Sequence, residues 1–243
     1  MSLSKKIIAI AIIATFLATI PLAFAQNQPE YRVVINELRV NDNYAKSSDG
    51  PGGGKPTANA YILLGIKWPT AMLPLTLYVN DVPTGSLLSS VSAGAAEWDA
   101  NTAANLFTQP IATSDLVAET DRPDIKNEVM FGGRINNDPN IIGVTYTWYN
   151  VRKQIVDFDM VLNNVDYSWG DFSGVADVMD VQNIVTHELG HGLGLADLYE
   201  TNRNYDSTTW PLQTMWGYSW EGDVIKRTLD SGDKAGIQKL YGQ

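Results

Sequence analysis

Both histidines of this 243-residue chain fall in one stretch, His187-Glu188-Leu189-Gly190-His191-Gly192-Leu193-Gly194-Leu195-Ala196-Asp197. On a helix, side chains four positions apart share a face about 5–6 Å apart, so His187 and His191 can aim two imidazole nitrogens at a single ion. Glu188 then stands beside that ion. A zinc ion held by few protein groups keeps a position for water and lowers its pKa toward about 7. An adjacent carboxylate can take the proton as that water attacks a carbonyl. The chemistry open to such a set is hydrolysis of a peptide bond, with Glu188 as general base.

Two histidines do not complete a protein zinc site, and the chain has no third histidine and no cysteine. The remaining ligand is a carboxylate or a tyrosine. Gly194, three residues after His191, can take a positive φ and end the helix sharply, so that the returning chain brings Asp197 in from a third direction. Asp197 is the candidate. A bare H-E-x-x-H also occurs by chance on ordinary amphipathic helices. The Gly194 and Asp197 that follow in register are what set this stretch apart.

The stretch resembles the metzincin metallopeptidases, whose longer pattern is H-E-x-x-H-x-x-G-x-x-H followed by a methionine-containing turn. Asp197 stands where most members have a third histidine, as in snapalysin-like members of that clan. The resemblance continues in Gln213-Thr214-Met215-Trp216-Gly217-Tyr218, which looks like the Met-turn and implies that Met215 is a floor beneath the metal and not a ligand. In some relatives a tyrosine two residues past the methionine binds the metal or the oxyanion. Tyr218 is three past it, so it either takes that role or simply packs. The last residues, Ile237-Gln238-Lys239-Leu240-Tyr241-Gly242, resemble the terminal helix of matrixins.

The resemblance implies an α+β fold: a twisted, mixed five-stranded sheet with an active-site helix, a Met-turn and a C-terminal helix. It covers about residues 58 to 242. It also implies a secreted zinc endopeptidase with one catalytic zinc, acting on extracellular protein or peptide substrates. A non-catalytic secreted binding module of the same fold is the alternative.

Several elements must position these groups. Glu30 to Val40 is strand-like, and Tyr61–Trp68, Leu75–Val79, Glu128–Phe131, Ile141–Trp148 and Ile155–Leu162 are short apolar runs that read as strands. Leu87, Val91, Ala95 and Trp98 recur at helical steps, as do Ile237, Leu240 and Tyr241. Residues 108–127 are polar and proline-punctuated, hence a loop. By resemblance, Ile142–Trp148 is an antiparallel edge strand along the cleft, where Gly143, Val144, Thr145 and Tyr146 would pair with an extended substrate. A plain strand with a shielded edge is the other reading. The aromatic stretch from Thr209 to Trp220 would wall the pocket for the residue after the scissile bond.

Lys5 and Lys6, the apolar run Ile7–Ile20 and Ala23-Phe24-Ala25 read as a signal peptide over residues 1–25. Residues 26–57, with Asp49-Gly50-Pro51-Gly52-Gly53-Gly54, are either a short pro-segment or an extra strand and its linker. Asp42 or Asp49 could then reach the zinc in a latent form. Loss of residues 1–25 removes two lysines and no acids, so the net charge of −10 becomes −12. Such a surface repels nucleic acid and anionic membranes. A soluble monomer is expected. Without cysteine, neither disulfides nor a thiol latch on zinc can exist. Asp157, Asp159, Asn163, Asn164, Asp166, Asp171, Asp177 and Asp180 offer oxygens that calcium could use, or they are solvated acidic loops.

Overall fold

In a computed structural model the described residues are 30–41, 60–81, 87–171, 177–203 and 205–243. The expected signal peptide lies outside them, as do Asp42, Asp49 and the glycine-rich stretch after them. Tyr31–Gln243 pack as one compact unit.

In chain order the elements are β1 (Tyr31–Val40), β2 (Ile62–Leu63), β3 (Leu77–Asn80), helix α1 (Leu87–Asp99), β4 (Ala112–Thr113), β5 (Asn127–Gly132), β6 (Ile141–Asn150) and β7 (Ile155–Asn163). Then come β8 (Trp169–Gly170), β9 (Met179–Asp180), helix α2 (Val181–Gly192), β10 (Leu195–Ala196), β11 (Tyr218–Ser219) and helix α3 (Ser231–Tyr241). The fold is mixed α+β. Its main sheet has seven strands, in the order β11-β1-β6-β7-β5-β3-β4, where five were expected. Beside the five of β4-β3-β5-β7-β6 the additions are β1 and β11, and β4 falls inside the 108–127 stretch read as a loop, where it pairs with β3. Residues 31–40 of the N-terminal segment form a strand of this sheet. Tyr61–Trp68 shrinks to a two-residue strand and an isolated bridge at Lys67, because its pairing partners are themselves short.

The sheet is antiparallel at β1/β6 and β6/β7, and parallel from β7 through β5 and β3 to β4. Side chains alternate faces along a strand. Phe158, Met160 and Leu162 of β7 point to the side that α2 covers, and α1 packs beside α2 and against β3. All residues of α2 but Gln182 are buried, as befits a helix enclosed between a sheet and a second helix. The Asp180 side chain caps it by accepting from the Asn183 N–H at 2.8 Å. Leu87, Val91, Ala95 and Trp98 of α1 are fully buried, as their spacing predicts. The Trp98 indole N–H donates to the Thr186 carbonyl at 2.8 Å, tying α1 to α2.

The opposite face of the sheet carries Glu128, Asp157 and Asp159, each no more than 1% exposed. The 108–127 loop passes close by, and the backbone N–H groups of Asp124 and Ile125 donate to one Asp157 oxygen at 2.8 and 3.0 Å. Asp157 and Asp159 are thus strand residues shut off from solvent, not solvated acids. Asp166 and Asp171 pair with Arg134 and Arg227. Among the described residues, no three of the acids offered for calcium come within metal-binding range of one another.

Candidate metal centre

Helix α2 sets His187 and His191 one turn apart with both rings fully buried. Each ring has one nitrogen committed to the backbone: His187 Nδ1 lies 2.7 Å from the Thr214 carbonyl, and His191 Nδ1 lies 2.9 Å from the Leu195 carbonyl. A carbonyl only accepts, so both Nδ1 atoms carry a proton and both Nε2 atoms point away. They converge 3.1 Å apart. Asp197 Oδ1 completes the group at 3.2 Å from one Nε2 and 3.4 Å from the other. Ligands placed tetrahedrally around zinc at about 2.0–2.1 Å lie about 3.3 Å from one another, so the donor set fits a single ion. His187, His191 and Asp197 are, among the described residues, the group able to hold a metal ion.

Burial pushes the His187 pKa down to about 4, keeping that ring neutral. Burial also opposes charge on His191, but the Asp197 carboxylate outweighs it and raises that pKa to about 9. Asp197 is held far below the ordinary carboxylate range, since the two histidines overcome the cost of its burial. At neutral pH His191 therefore carries a proton on each ring nitrogen, and a metal ion would have to displace the one on Nε2.

Asp197 arrives by the turn expected at Gly194. Gly194 has φ 105°, and a Cβ there would sit 2.5 Å from the Ile66 carbonyl oxygen. Beyond it, β10 pairs antiparallel with β2, and Leu64 N–H donates to the Gly194 carbonyl at 2.9 Å. Two residues further on, Tyr199 lies close enough to Asp197 for the carboxylate to act on its hydroxyl. Burial first, and that carboxylate second, raise the Tyr199 pKa far out of the titrating range, so it stays a donor. Tyr218, which the sequence suggested for this part of the site, packs edge-on against Tyr199 and Trp216, with ring centroids 5.4 and 5.7 Å away.

Glu188 is completely buried. The Thr145 hydroxyl donates to its Oε2 at 2.6 Å, and Oε1 has no partner. Gly143 lets β6 pass close, since a Cβ there would meet Oε1 at 2.8 Å. Burial raises the Glu188 pKa to about 7, against the Thr145 bond and the nearby His191. Met215 lies fully buried against α2 at Gly190, between the two histidines, where any Cβ would collide with its sulfur. The two residues beside it are gripped from α3: one Asp233 carboxylate accepts from Thr214 N–H and from Met215 N–H at 3.1 Å. Gln213 Oε1 in return accepts from Gly232 N–H at 2.8 Å. Asp233 therefore fixes the carbonyl that sets the His187 tautomer. Burial holds its own pKa up at about 6. Neither Tyr199 nor Asp233 stood out in the sequence, where the only signal was the spacing of Tyr199 two residues past Asp197.

Gly143, Val144, Thr145 and Tyr146 do not form a free edge. Strand β6 is paired along both sides, with β7 on one and β1 on the other, because the β-branched segment Tyr31–Val40 satisfies its backbone groups. Thr145 reaches the centre through its side chain instead. Trp210 and Trp216 of the expected pocket wall are buried in the core.

Compared with known proteins, the chain matches no family model and no curated relative.

Proposed function

We propose that this chain is a secreted, metzincin-like zinc endopeptidase. The observation that carries the reading is the convergence of two histidine Nε2 atoms and one carboxylate oxygen, with a buried, half-satisfied glutamate on the same helix turn. A structural zinc site closes four positions with protein groups, whereas three ligands leave a place for water. The sheet adds support. With β1 and β11 set aside, β4-β3-β5-β7-β6 is a five-stranded mixed sheet whose antiparallel strand β6 lies at the edge beside α2. That is the architecture the resemblance implies.

His187, His191 and Asp197 would hold the ion, which when bound makes water acidic and polarises a peptide carbonyl. Glu188 Oε1 has no partner, so it is free to accept the proton of the attacking water and pass it to the departing amine nitrogen. Thr145 keeps the other oxygen occupied and the carboxylate oriented. Tyr199 lies beside Asp197, and the two backbone carbonyls would orient the imidazoles.

The test is a digest of a diverse peptide pool by the zinc-loaded protein, read by mass spectrometry with and without chelator and with Glu188→Gln. The expected result is metal-dependent cleavage that falls about 10²–10⁴-fold in the variant while bound zinc is kept. Cleavage at the wild-type rate by Glu188→Gln, or protein that never retains zinc, defeats the reading.

A further inference from the structure

Strand β1 lies over the metal centre in a way that an ordinary sheet strand does not require. Only two of its ten side chains are buried, Asn36 at 8% exposure and Leu38 at 0%, while Ile35 is left 49% exposed. In the register with β6, Asn36 faces Thr145 and Leu38 faces Gly143. Paired residues share a face, and Thr145 and Gly143 are the two β6 residues that touch Glu188. The stretch Asn36-Glu37-Leu38 therefore passes the glutamate, and an opening lined by Asn36, Glu37, Asp197 and Tyr199 leads to the metal ligands. The Asn36 amide nitrogen has no hydrogen-bond partner, and neither does Glu188 Oε1 on that same side.

The backbone of β1 is held from both flanks. It runs antiparallel to β6 and parallel to β11, with Val40 N–H donating to the Asn140 carbonyl at 2.9 Å and Asn41 N–H to the Ser219 carbonyl at 3.1 Å. On the outward face Glu37 accepts from the Asn136 amide at 3.0 Å, and Arg39 pairs with Asp138 at 2.9 Å. An extended peptide gripped by main-chain bonds on its edges and anchored by alternate side chains is the pattern of recognition by β-addition. The covalent tie to the rest of the protein runs through Asp49-Gly50-Pro51-Gly52-Gly53-Gly54, and such a tie holds the strand at a high effective concentration.

Taking the centre to be a peptidase, as proposed above, we infer that β1 occupies the substrate cleft from within the chain and that its sequence reports what the cleft binds. The substrate class is an extended peptide with a branched aliphatic side chain in the place of Leu38 and a small polar one in the place of Asn36. Acidic and basic side chains at the places of Glu37 and Arg39 are read by Asn136 and Asp138. Removal of β1 opens the site.

The full chain, carrying Glu188→Gln to prevent self-digestion and a specific protease site built into Gly50–Gly54, is cut after folding and mixed with a labelled peptide of residues 31–40. The N-terminal fragment should exchange out on gel filtration while the near-ultraviolet circular dichroism of the remainder is kept. The peptide should rebind, and a peptide bearing Leu38→Arg should bind at least tenfold more weakly. In the cut protein with Glu188 intact and zinc bound, cleavage of other peptides should rise tenfold or more. A fragment that never leaves, a remainder that unfolds when it does, binding indifferent to Leu38, or cleavage that is present before cutting and unchanged by it would each overturn the inference. Peptide exchange without hydrolysis would leave the cleft assignment standing and remove the peptidase, and hydrolysis with β1 permanently in place would do the reverse.

Discussion

His187 and His191 owe their orientation to the two carbonyls that accept from their Nδ1–H groups, and Tyr199 lies beside Asp197. The ligand set is thus as sensitive to its supports as to itself. Asp197→Asn removes the negative charge that holds the centre together and should weaken zinc binding by more than about 100-fold, measured by competition with a chromogenic chelator. Tyr199→Phe keeps the ring and removes only the hydroxyl. It should cost about 10–100-fold in zinc affinity, whereas Tyr218→Phe, whose ring packs on Tyr199, should leave affinity within a factor of two or so. Equal effects of the two tyrosine variants would show that the hydroxyl next to Asp197 has no part in the centre.

The elements carry these side chains only because a few joints hold. Gly194 lets α2 end at Gly192, one residue past His191, and hands the chain to β10, whose pairing with β2 aims Asp197. Gly194→Ala forces a Cβ at a positive φ into the Ile66 carbonyl. It should lower stability by about 1–3 kcal/mol and reduce zinc binding together, read by thermal melts with and without metal. The second joint is α3 against the Met215 turn. Asp233→Ala strands the buried N–H groups of Thr214 and Met215 and breaks the capping box with Asp230. A loss of about 3 kcal/mol is expected, a fall of about 6–12 °C in Tm for a chain of this size. A drop below about 2 °C would mean that α3 is not what holds the turn. The helical stripes of α1 and α3 were legible in the spacing of their apolar residues, since periodicity is a local property. The bounds of the short strands were not, because β2, β4, β10 and β11 last only as long as a partner lies beside them.

The sheet as a whole separates two kinds of buried acid. On the α2 side, Glu188 and Asp197 serve the metal centre. On the other, Asp157 and Asp159 are held protonated by burial first, with neighbouring carboxylates adding to it, and their pKa values rise to about 7 and about 9. In the unfolded chain both would ionise near pH 4. The native state then binds more protons than the unfolded state above that pH, so stability is full below about pH 4 and declines as pH rises through about 7 and 9. Asp159→Asn keeps an acceptor for the Glu128 N–H and adds a donor toward the Glu128 carboxylate. The variant should flatten the decline and melt higher than the wild type at pH 9, with little difference at pH 5. Parallel curves for the two proteins across that range would refute the assignment. The same sheet also accounts for the surplus over the expected five strands, since β1 and β11 add to the edge that borders the metal centre.

What the order of amino acids settled alone is the reach of a helix: His187 and His191 share a face with Glu188 beside them, a glycine ends the helix, and an acid follows three residues later. Those relations hold in any fold, because the geometry of an α-helix and the freedom of glycine are intrinsic to the backbone. Only the tertiary structure decided that Gly143 and Thr145 would be covered by β1, that Tyr199 and not Tyr218 would meet Asp197, and that Asp233 would steady the Thr214 carbonyl. Each of these joins segments far apart in the chain or chooses between neighbouring residues by the face they present. Strand partners and faces are selected by long-range pairing and burial, which no local pattern of residues contains.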